Sequence, residues 1–228
     1  MTITFITGAN KSLGFETARR LIDLGHTVVL GARDVERGTV AAEKLGVRFV
    51  QIDVTDDESV AAAAADVEQH EGRVDVLINN AGIAGPYGPP DVAGIQAVLD
   101  VNVVGVVRTT IAFLPLLQRS DDPVIVNVTS EMGSLAATHD PDRAESHVIM
   151  PAYTASKAAL TMMTTQYAKA YPEIRINAAD PGYTATEFNG HSGPQTVTEG
   201  TDAVVALATE GPGSRSGRLV NRAGDIAF

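Results

Sequence analysis

The chain has 228 residues and 23.8 kDa, with 44% hydrophobic and 20% charged residues, which gives room for one sizeable core and excludes a disordered or low-complexity protein. Its 17 Lys and Arg against 28 Asp and Glu leave a formal net charge of −11, which argues against a broad nucleic-acid or anionic-membrane surface. Zero cysteines exclude disulfides, thiolate metal sites and a cysteine nucleophile, and suit a reducing, cytoplasmic setting.

Along the chain, Ile3 to Thr7 reads as a first strand that leads through a glycine-bearing turn into the helical spacing of Phe15 to Leu24. Strand-like Thr27 to Leu30 precedes a helix over Asp34 to Leu45, and Arg48 to Ile52 precedes one over Asp57 to His70. Within the latter, the Ala61 to Ala65 run is a surface helix rather than low complexity, because Ala has the highest helix propensity and Val60 and Val67 flank it at core positions. Val74 to Ile78 is the fourth strand, followed by a loop from Gly82 to Pro90 and a long helix over Gly94 to Leu117. Val124 to Val128, a helix over Ala152 to Tyr171, Ile174 to Ala178, a helix over Val197 to Ala208 and Arg218 to Val220 complete the series. Most strand runs are unbroken rather than alternating, as parallel strands covered on both faces are. The alternation of strand and helix predicts a single α/β domain with a doubly wound, about seven-stranded parallel sheet and helices on both faces, a Rossmann-type architecture. No uninterrupted apolar run reaches the ~20 residues that cross a bilayer, and the start of the chain lacks the basic region of a signal peptide.

Between the first strand and first helix stands Thr7-Gly8-Ala9-Asn10-Lys11-Ser12-Leu13-Gly14. Such a turn aims backbone N–H groups and a helix N-terminus at a pyrophosphate, although a ligand-free tight connection uses glycines too. The second strand ends in Gly31-Ala32-Arg33, the region that reads the ribose 2′ position. Arg33 there, with Lys11 nearby, favours NADP(H) over NAD(H); each cation alone also fits a solvated surface charge. Tyr153-Thr154-Ala155-Ser156-Lys157 places a phenol and an ammonium on one face at the start of a helix. Ser130 ends the fifth strand, and in doubly wound sheets ligands bind outside the carboxyl ends of strands. A half-buried Tyr beside a surface Lys, and a Ser serving as a cap, are the plain alternatives. Asn102 sits among Val101, Val103 and Val104 inside the long helix, where a satisfied core amide is the plain alternative.

Together these residues resemble the short-chain dehydrogenase/reductase family, and the Ala-Asn-Lys form of the turn is similar to its carbonyl-reductase branch; the match runs nearly end to end. The family's first motif is Thr-Gly, three residues, Gly, one residue, Gly; this chain supplies Thr7, Gly8 and Gly14 and has Ser12 at the middle Gly. If position 12 requires positive φ, Ser there costs ~1–2 kcal/mol; if it does not, the hydroxyl adds a hydrogen bond. Asp53-Val54 matches the adenine-binding pair, and Asn79-Asn80-Ala81-Gly82 matches the Asn-Asn-Ala-Gly motif. A cap and an Asn-stabilised turn are their readings without the family.

The resemblance implies an NADPH-dependent oxidoreductase that reduces a ketone or aldehyde reversibly. Tyr153 is then the proton donor, Lys157 the cation that eases phenol ionisation and grips the ribose, Ser130 a hydrogen-bond donor to the substrate oxygen, and Asn102 the holder of a water chain. Gly8, Asn10, Lys11, Ser12, Leu13 and Gly14 would line the phosphates, Arg33 the 2′-phosphate, and Asp53 and Val54 the adenine. Asn80, Ala81, Gly82, Tyr153 and Lys157 would also bind the cofactor, Lys157 at the nicotinamide ribose, and Pro181, Gly182, Thr184 and Thr186 would lie at the nicotinamide. Residues 183–196, with Gly190, Gly193 and Pro194, form a candidate substrate lid, a variable surface loop being the alternative. The 23 steps from Ser130 to Tyr153 exceed the spacing of compact oligomeric members; monomer, dimer and tetramer stay open. His139, His147, Asp140 and Asp142 in that stretch lack metal-ligand spacing and read as surface loop, so no metal is expected. Met132, Leu135, Met150, Tyr183 and Phe188 favour a small hydrophobic carbonyl substrate; no nucleic-acid or membrane partner is expected. The alternative of another class is a non-enzymatic NADP(H)-sensing protein on the same fold. A nucleotide-sugar epimerase would need a separate substrate domain, for which few residues remain.

Overall fold

The computed structural model describes residues 1–85 and 87–227, so Pro86, inside the loop expected over Gly82 to Pro90, lies outside the described residues. The chain runs β1 (Ile3–Ile6), α1 (Ser12–Asp23), β2 (Thr27–Ala32), α2 (Val35–Leu45), β3 (Arg48–Gln51), α3 (Asp57–Glu71) and β4 (Val76–Asn79). It continues with α4 (Val92–Leu99), a π-helical turn (Asp100–Val104), α5 (Gly105–Leu117) and β5 (Val124–Val128). Beyond β5 come a 3₁₀ turn (Glu131–Gly133), α6 (Leu135–His139), a second 3₁₀ turn (Ala144–His147), α7 (Pro151–Ala170) and β6 (Arg175–Ala179). A third 3₁₀ turn (Glu187–Asn189), α8 (Val197–Gly200), α9 (Asp202–Thr209), β7 (Leu219–Asn221) and β8 (Gly224–Asp225) follow.

The sheet order is β3-β2-β1-β4-β5-β6-β7-β8. The first seven strands pair in parallel, as expected, and β8 pairs antiparallel with β7. This eighth strand is an addition to the seven read from sequence, because Gly224-Asp225 carries no apolar run to announce it. The order reverses between β1 and β4, so the crevice where ligands bind opens at their carboxyl ends.

Apolar residues on alternate sides of each strand feed two cores. One joins Ile6, Leu30, Ile78 and Val126 to Leu21, Val204 and Leu207, under α1, α2 and α9. The other joins Phe5, Val29, Leu77 and Ile125 to Val60, Val67, Phe113 and Leu116, under α3, α5 and α7. Phe5 and Phe113 meet with ring centroids 4.5 Å apart, tying the central strand to α5; such a pair adds about 0.5–1.5 kcal/mol beyond its area. Within the alanine run, Ala63 and Ala64 face inward with Val60 and Val67, and Ala61, Ala62 and Ala65 face solvent.

The single helix expected over Gly94 to Leu117 is corrected to α4, a π-helical turn carrying Asn102, and α5. The expectation that no apolar run reaches about 20 residues stands, since Gln96, Asp100, Asn102 and Arg108 break the longest apolar helix. Val92–Leu117 is a 26-residue helical run whose most apolar 18 residues have a mean hydropathy of 1.7, long and apolar enough to cross a membrane by length and composition. It packs against β4, α3 and α7, buries Phe113, Leu116 and Leu117, and carries the Asp100–Arg108 ion pair at 2.9 Å. Those contacts are those of a core helix beside the sheet.

Candidate active site

Helices α2, α3 and α4 each start with an Asp whose carboxylate accepts from backbone N–H groups of the first turn: Asp34, Asp56 and Asp91. α1 starts with Lys11, which has no acceptor to offer, so its first-turn N–H groups are left for an anion. The turn before it is built for close approach. A Cβ on Gly14 would stand 2.5 Å from Asn80 Nδ2 and 2.6 Å from the Gly8 oxygen, so only glycine fits. Asn80 braces the turn, its Nδ2 donating to the Thr7 and Gly8 oxygens at 2.9 and 3.0 Å, while the Thr7 hydroxyl accepts from the N–H groups of Asn80 and Ala81 at 3.0 and 3.1 Å. These features fit a dinucleotide pyrophosphate. Ser12 has φ of 48°, so the middle-glycine position does require left-handed backbone. Ser12→Gly should therefore raise unfolding stability in urea by up to about 1 kcal/mol, the relief of left-handed strain less the entropy that Gly loses. A clear loss of stability would show instead that the hydroxyl makes a needed bond.

At the end of β2, Arg33 is 76% exposed, with Nε 3.9 Å from Asp53. Burial raises the Asp53 carboxyl, but hydrogen bonds from Thr55 and the charge of Arg33 outweigh it and hold it below the ordinary range. Its neighbour Val54 is buried against Gly105. Arg37, in the first turn of α2 and absent from the expected site, is 70% exposed; the hydrogen bond and charge of Lys11 hold the Glu187 carboxyl low, and the Arg37 charge adds to them. Asp34, two residues past β2, caps α2 by accepting from the Arg37 N–H, and its carboxylate lies 3.6 Å from Arg37 Nε. Lys11 itself donates to Glu187 at 2.6 Å, linking the turn to the 183–196 segment. That segment is internally bonded, by Tyr183 and Ser192 hydroxyls 2.6 Å apart and by the Ala185 N–H to the Gln195 oxygen at 2.9 Å. Thr184 and Thr186 are buried, and Gly182 takes φ of 66° after Pro181.

The remaining groups converge at the ends of β4 and β5. Pro151 opens α7, and Tyr153 and Lys157 follow one turn apart on its inner face. Lys157 is 5% exposed; its Nζ donates to the Val128 oxygen at 2.9 Å and lies 5.5 Å from the Tyr153 ring centroid. The Ser130 hydroxyl is placed to ease ionisation of the Tyr153 phenol, and it caps the turn behind it by accepting from the Met132 N–H at 3.2 Å. Asn102 clamps the exit of β4, accepting from the Ile83 N–H at 2.8 Å and donating to its oxygen at 2.9 Å, and donates to Ser156 Oγ at 3.0 Å. The π-helical turn sets this amide between β4 and α7. Gly82 lies beside both groups: a Cβ there would be 3.3 Å from Asn102 Oδ1 and 3.7 Å from Lys157 Nζ.

Burial lowers Lys157 to about 8, against the raising charge of Asp180. Burial of the Tyr153 hydroxyl and then the Asp180 charge push the phenol well above its ordinary value, and the Ser130 hydroxyl only partly offsets them. The expectation that Lys157 holds the phenol low is thus corrected for the ligand-free protein, because desolvation of the phenolate dominates.

Of the residues expected to form an apolar pocket, Phe188 packs on Tyr153 with centroids 5.6 Å apart, Met150 is buried, and Leu135 and Tyr183 are exposed. His139 and His147 turn to the backbone oxygens of Leu135 and Pro141 at 2.8 and 3.2 Å. Among the described residues no group of three or more His, Asp or Glu is arranged to hold a metal ion. A crevice of about 520 Å³ at the amino ends of the central strands, lined by Met1, Asp75, Arg175 and Glu210 among others, contains none of the groups above.

A family model described as short chain dehydrogenase matches residues 2–196. A short-chain dehydrogenase of Penicillium roqueforti, anuI, is 37% identical over 96% of this chain and 93% of its own length. The solved structure of salutaridine reductase from Papaver somniferum superposes with a TM-score of 0.85 at 30% identity, covering 96% of this chain and 99% of that one. The NADPH-bound carbonyl reductase from chicken fatty liver superposes with a TM-score of 0.88 at 26% identity, covering 100% of both chains.

Proposed function

The chain belongs to the short-chain dehydrogenase family of oxidoreductases, and from that premise we propose that it is an NADPH-dependent reductase converting a small hydrophobic ketone or aldehyde to an alcohol, reversibly. The observation that carries the reading is the convergence of Tyr153, Lys157, Ser130 and Asn102 beside the open phosphate turn. The relatives that are reductases, one of them with NADPH bound, support it.

The turn from Gly8 to Gly14 holds the pyrophosphate against the start of α1, with Asn10, Ser12 and Leu13 around it. Arg33, Arg37 and Lys11 meet the 2′-phosphate, and Asp53 and Val54 flank the adenine. Asn80, Ala81 and Gly82 line the ribose side with Tyr153 and Lys157, and Pro181, Gly182, Thr184 and Thr186 line the nicotinamide. When bound, the reduced nicotinamide supplies a hydride to the carbonyl carbon. Ser130 and Tyr153 both donate hydrogen bonds to the carbonyl oxygen, and Tyr153 passes its proton as negative charge grows there. A phenol held high, as this one is, carries that proton throughout the neutral range. Lys157 holds the ribose and favours the transient phenolate, and Asn102 fixes the β4 exit against α7. The 183–196 segment acts as a lid that excludes water, and the cysteine-free chain works in the cytoplasm.

Loss of NADPH absorbance with a panel of aliphatic and aromatic aldehydes and ketones tests the reading. Turnover that disappears in Tyr153→Phe is expected. NADPH binding without oxidation by any carbonyl would replace the enzyme with a cofactor-sensing protein.

A further inference from the structure

Two buried carboxyls stand behind the proposed proton donor and have no part in the scheme above. Asp180 ends β6, is 3% exposed, and accepts from the Gly182 N–H at 3.1 Å. Glu131 is the residue after Ser130 and is 8% exposed; the Asp180 N–H donates to the Val220 oxygen at 2.8 Å, and the next residue of β7, Asn221, reaches the Glu131 carboxyl, so the two acids lie on the same end of β7. The two Glu131 oxygens take Arg143 at 2.7 Å and Asn221 Nδ2 at 3.3 Å. Glu131 belongs to a stretch expected at the surface, and Asp180 to none of the motifs in the sequence.

The charged groups around the pair come from each packed element. Glu131 itself comes from the 3₁₀ turn after β5, Arg143 from the segment before Ala144, where it also pairs with Glu145 at 3.2 Å, and Lys157 and Tyr153 from α7. β7 contributes only the neutral Asn221. A carboxyl buried near a second one keeps its proton to higher pH, and Asp180, which among the described residues has no ion-pair partner of the kind Arg143 gives Glu131, is in that position.

We infer that Glu131 and Asp180 form a one-proton carboxyl pair that positions Ser130 and the Pro181-Gly182 segment and, through the charge on Asp180, keeps Lys157 cationic and Tyr153 protonated. Burial and then the Glu131 charge raise Asp180 to about 7, in keeping with this geometry. As pH rises through that value Asp180 ionises, which supports the Lys157 ammonium and opposes the Tyr153 phenolate. The site then keeps its donor form, which favours carbonyl reduction over alcohol oxidation. The inference rests on the reading of Tyr153 as proton donor, but its first test needs no substrate.

Carbon-13 labels in the Asp carboxyls and the ε-carbons of Lys11, Lys44, Lys157 and Lys169 allow NMR titration of the whole, cofactor-free chain. One Asp resonance should titrate near pH 7 and be missing in Asp180→Asn. The Lys157 titration, near pH 8 in the wild type, should move to lower pH in Asp180→Asn and to higher pH in Glu131→Gln, where Asp180 ionises earlier. A packing defect does not give shifts of opposite sign. If every wild-type Asp titrates in the ordinary carboxylate range, the pair is overturned whether or not the variants fold. Lys157 shifts that are absent or of one sign overturn its action on the site. With a working substrate, Asp180→Asn should also bring the alkaline limb of alcohol oxidation down by about one pH unit, the usual scale for one nearby charge. A carbonyl panel that gives no turnover removes the reductase reading and leaves the titrations to decide the pair.

Discussion

Tyr153→Phe is expected to lower carbonyl reduction by about 10²–10⁴-fold, the range contributed by a positioned general acid, and to leave NADPH binding within a few-fold of wild type. The Tyr153 ring has its centroid 5.5 Å from the Lys157 ammonium and its phenol on the Ser130 side, whereas the turn that holds the phosphates is braced by Asn80 and Thr7. Phe keeps the ring packed on Phe188, so the fold should survive. Because the phenol is held above its ordinary value, wild-type reduction should be flat through neutrality and alcohol oxidation should climb with alkalinity. Stopped-flow rates with deuterated NADPH check this. Wild-type kcat in the isotope-sensitive step of Tyr153→Phe would remove Tyr153 as the acid.

The double change Arg33→Asp with Arg37→Ser is expected to lower the preference for NADPH over NADH at least about a hundredfold. A hydrogen bond to a charged group contributes about 1.5–3 kcal/mol and each 1.4 kcal/mol is tenfold, so two phosphate contacts at the lower limit give that figure. The lower limit applies because both guanidiniums are largely exposed, at 76% and 70%, and solvent screens them. Arg33→Asp alone should account for roughly tenfold. Lys11 contributes less in the ligand-free protein, being paired with Glu187. The ratio of kcat/KM for the two cofactors is the measurement, and an unchanged ratio in the double variant would assign the 2′-phosphate elsewhere.

Much of this molecule is legible from its amino-acid order, because the features concerned are local. Unbroken runs such as Val76–Asn79 and Val124–Val128 are buried on both faces, and only parallel strands between helices ask for that. Tyr153 and Lys157 share a face because a helix turns every 3.6 residues. The Thr7-to-Gly14 turn announces a phosphate cradle because close approach at Gly14 tolerates no side chain.

What tertiary structure decided depends on which distant groups meet and on what happens to water there. Ser12 could be read either way until its φ of 48° fixed the position as left-handed. Asn102 sits in a regular helical pattern by sequence, and the π-helical turn appears only where its amide must reach Ile83 and Ser156. Glu131 and Asp180 are 49 residues apart in the sequence, and nothing in the neighbourhood of either shows that they share a dry site with Arg143 and Lys157. Their charge state, and with it that of Tyr153, follows from desolvation, which is a property of the assembled fold and not of any segment.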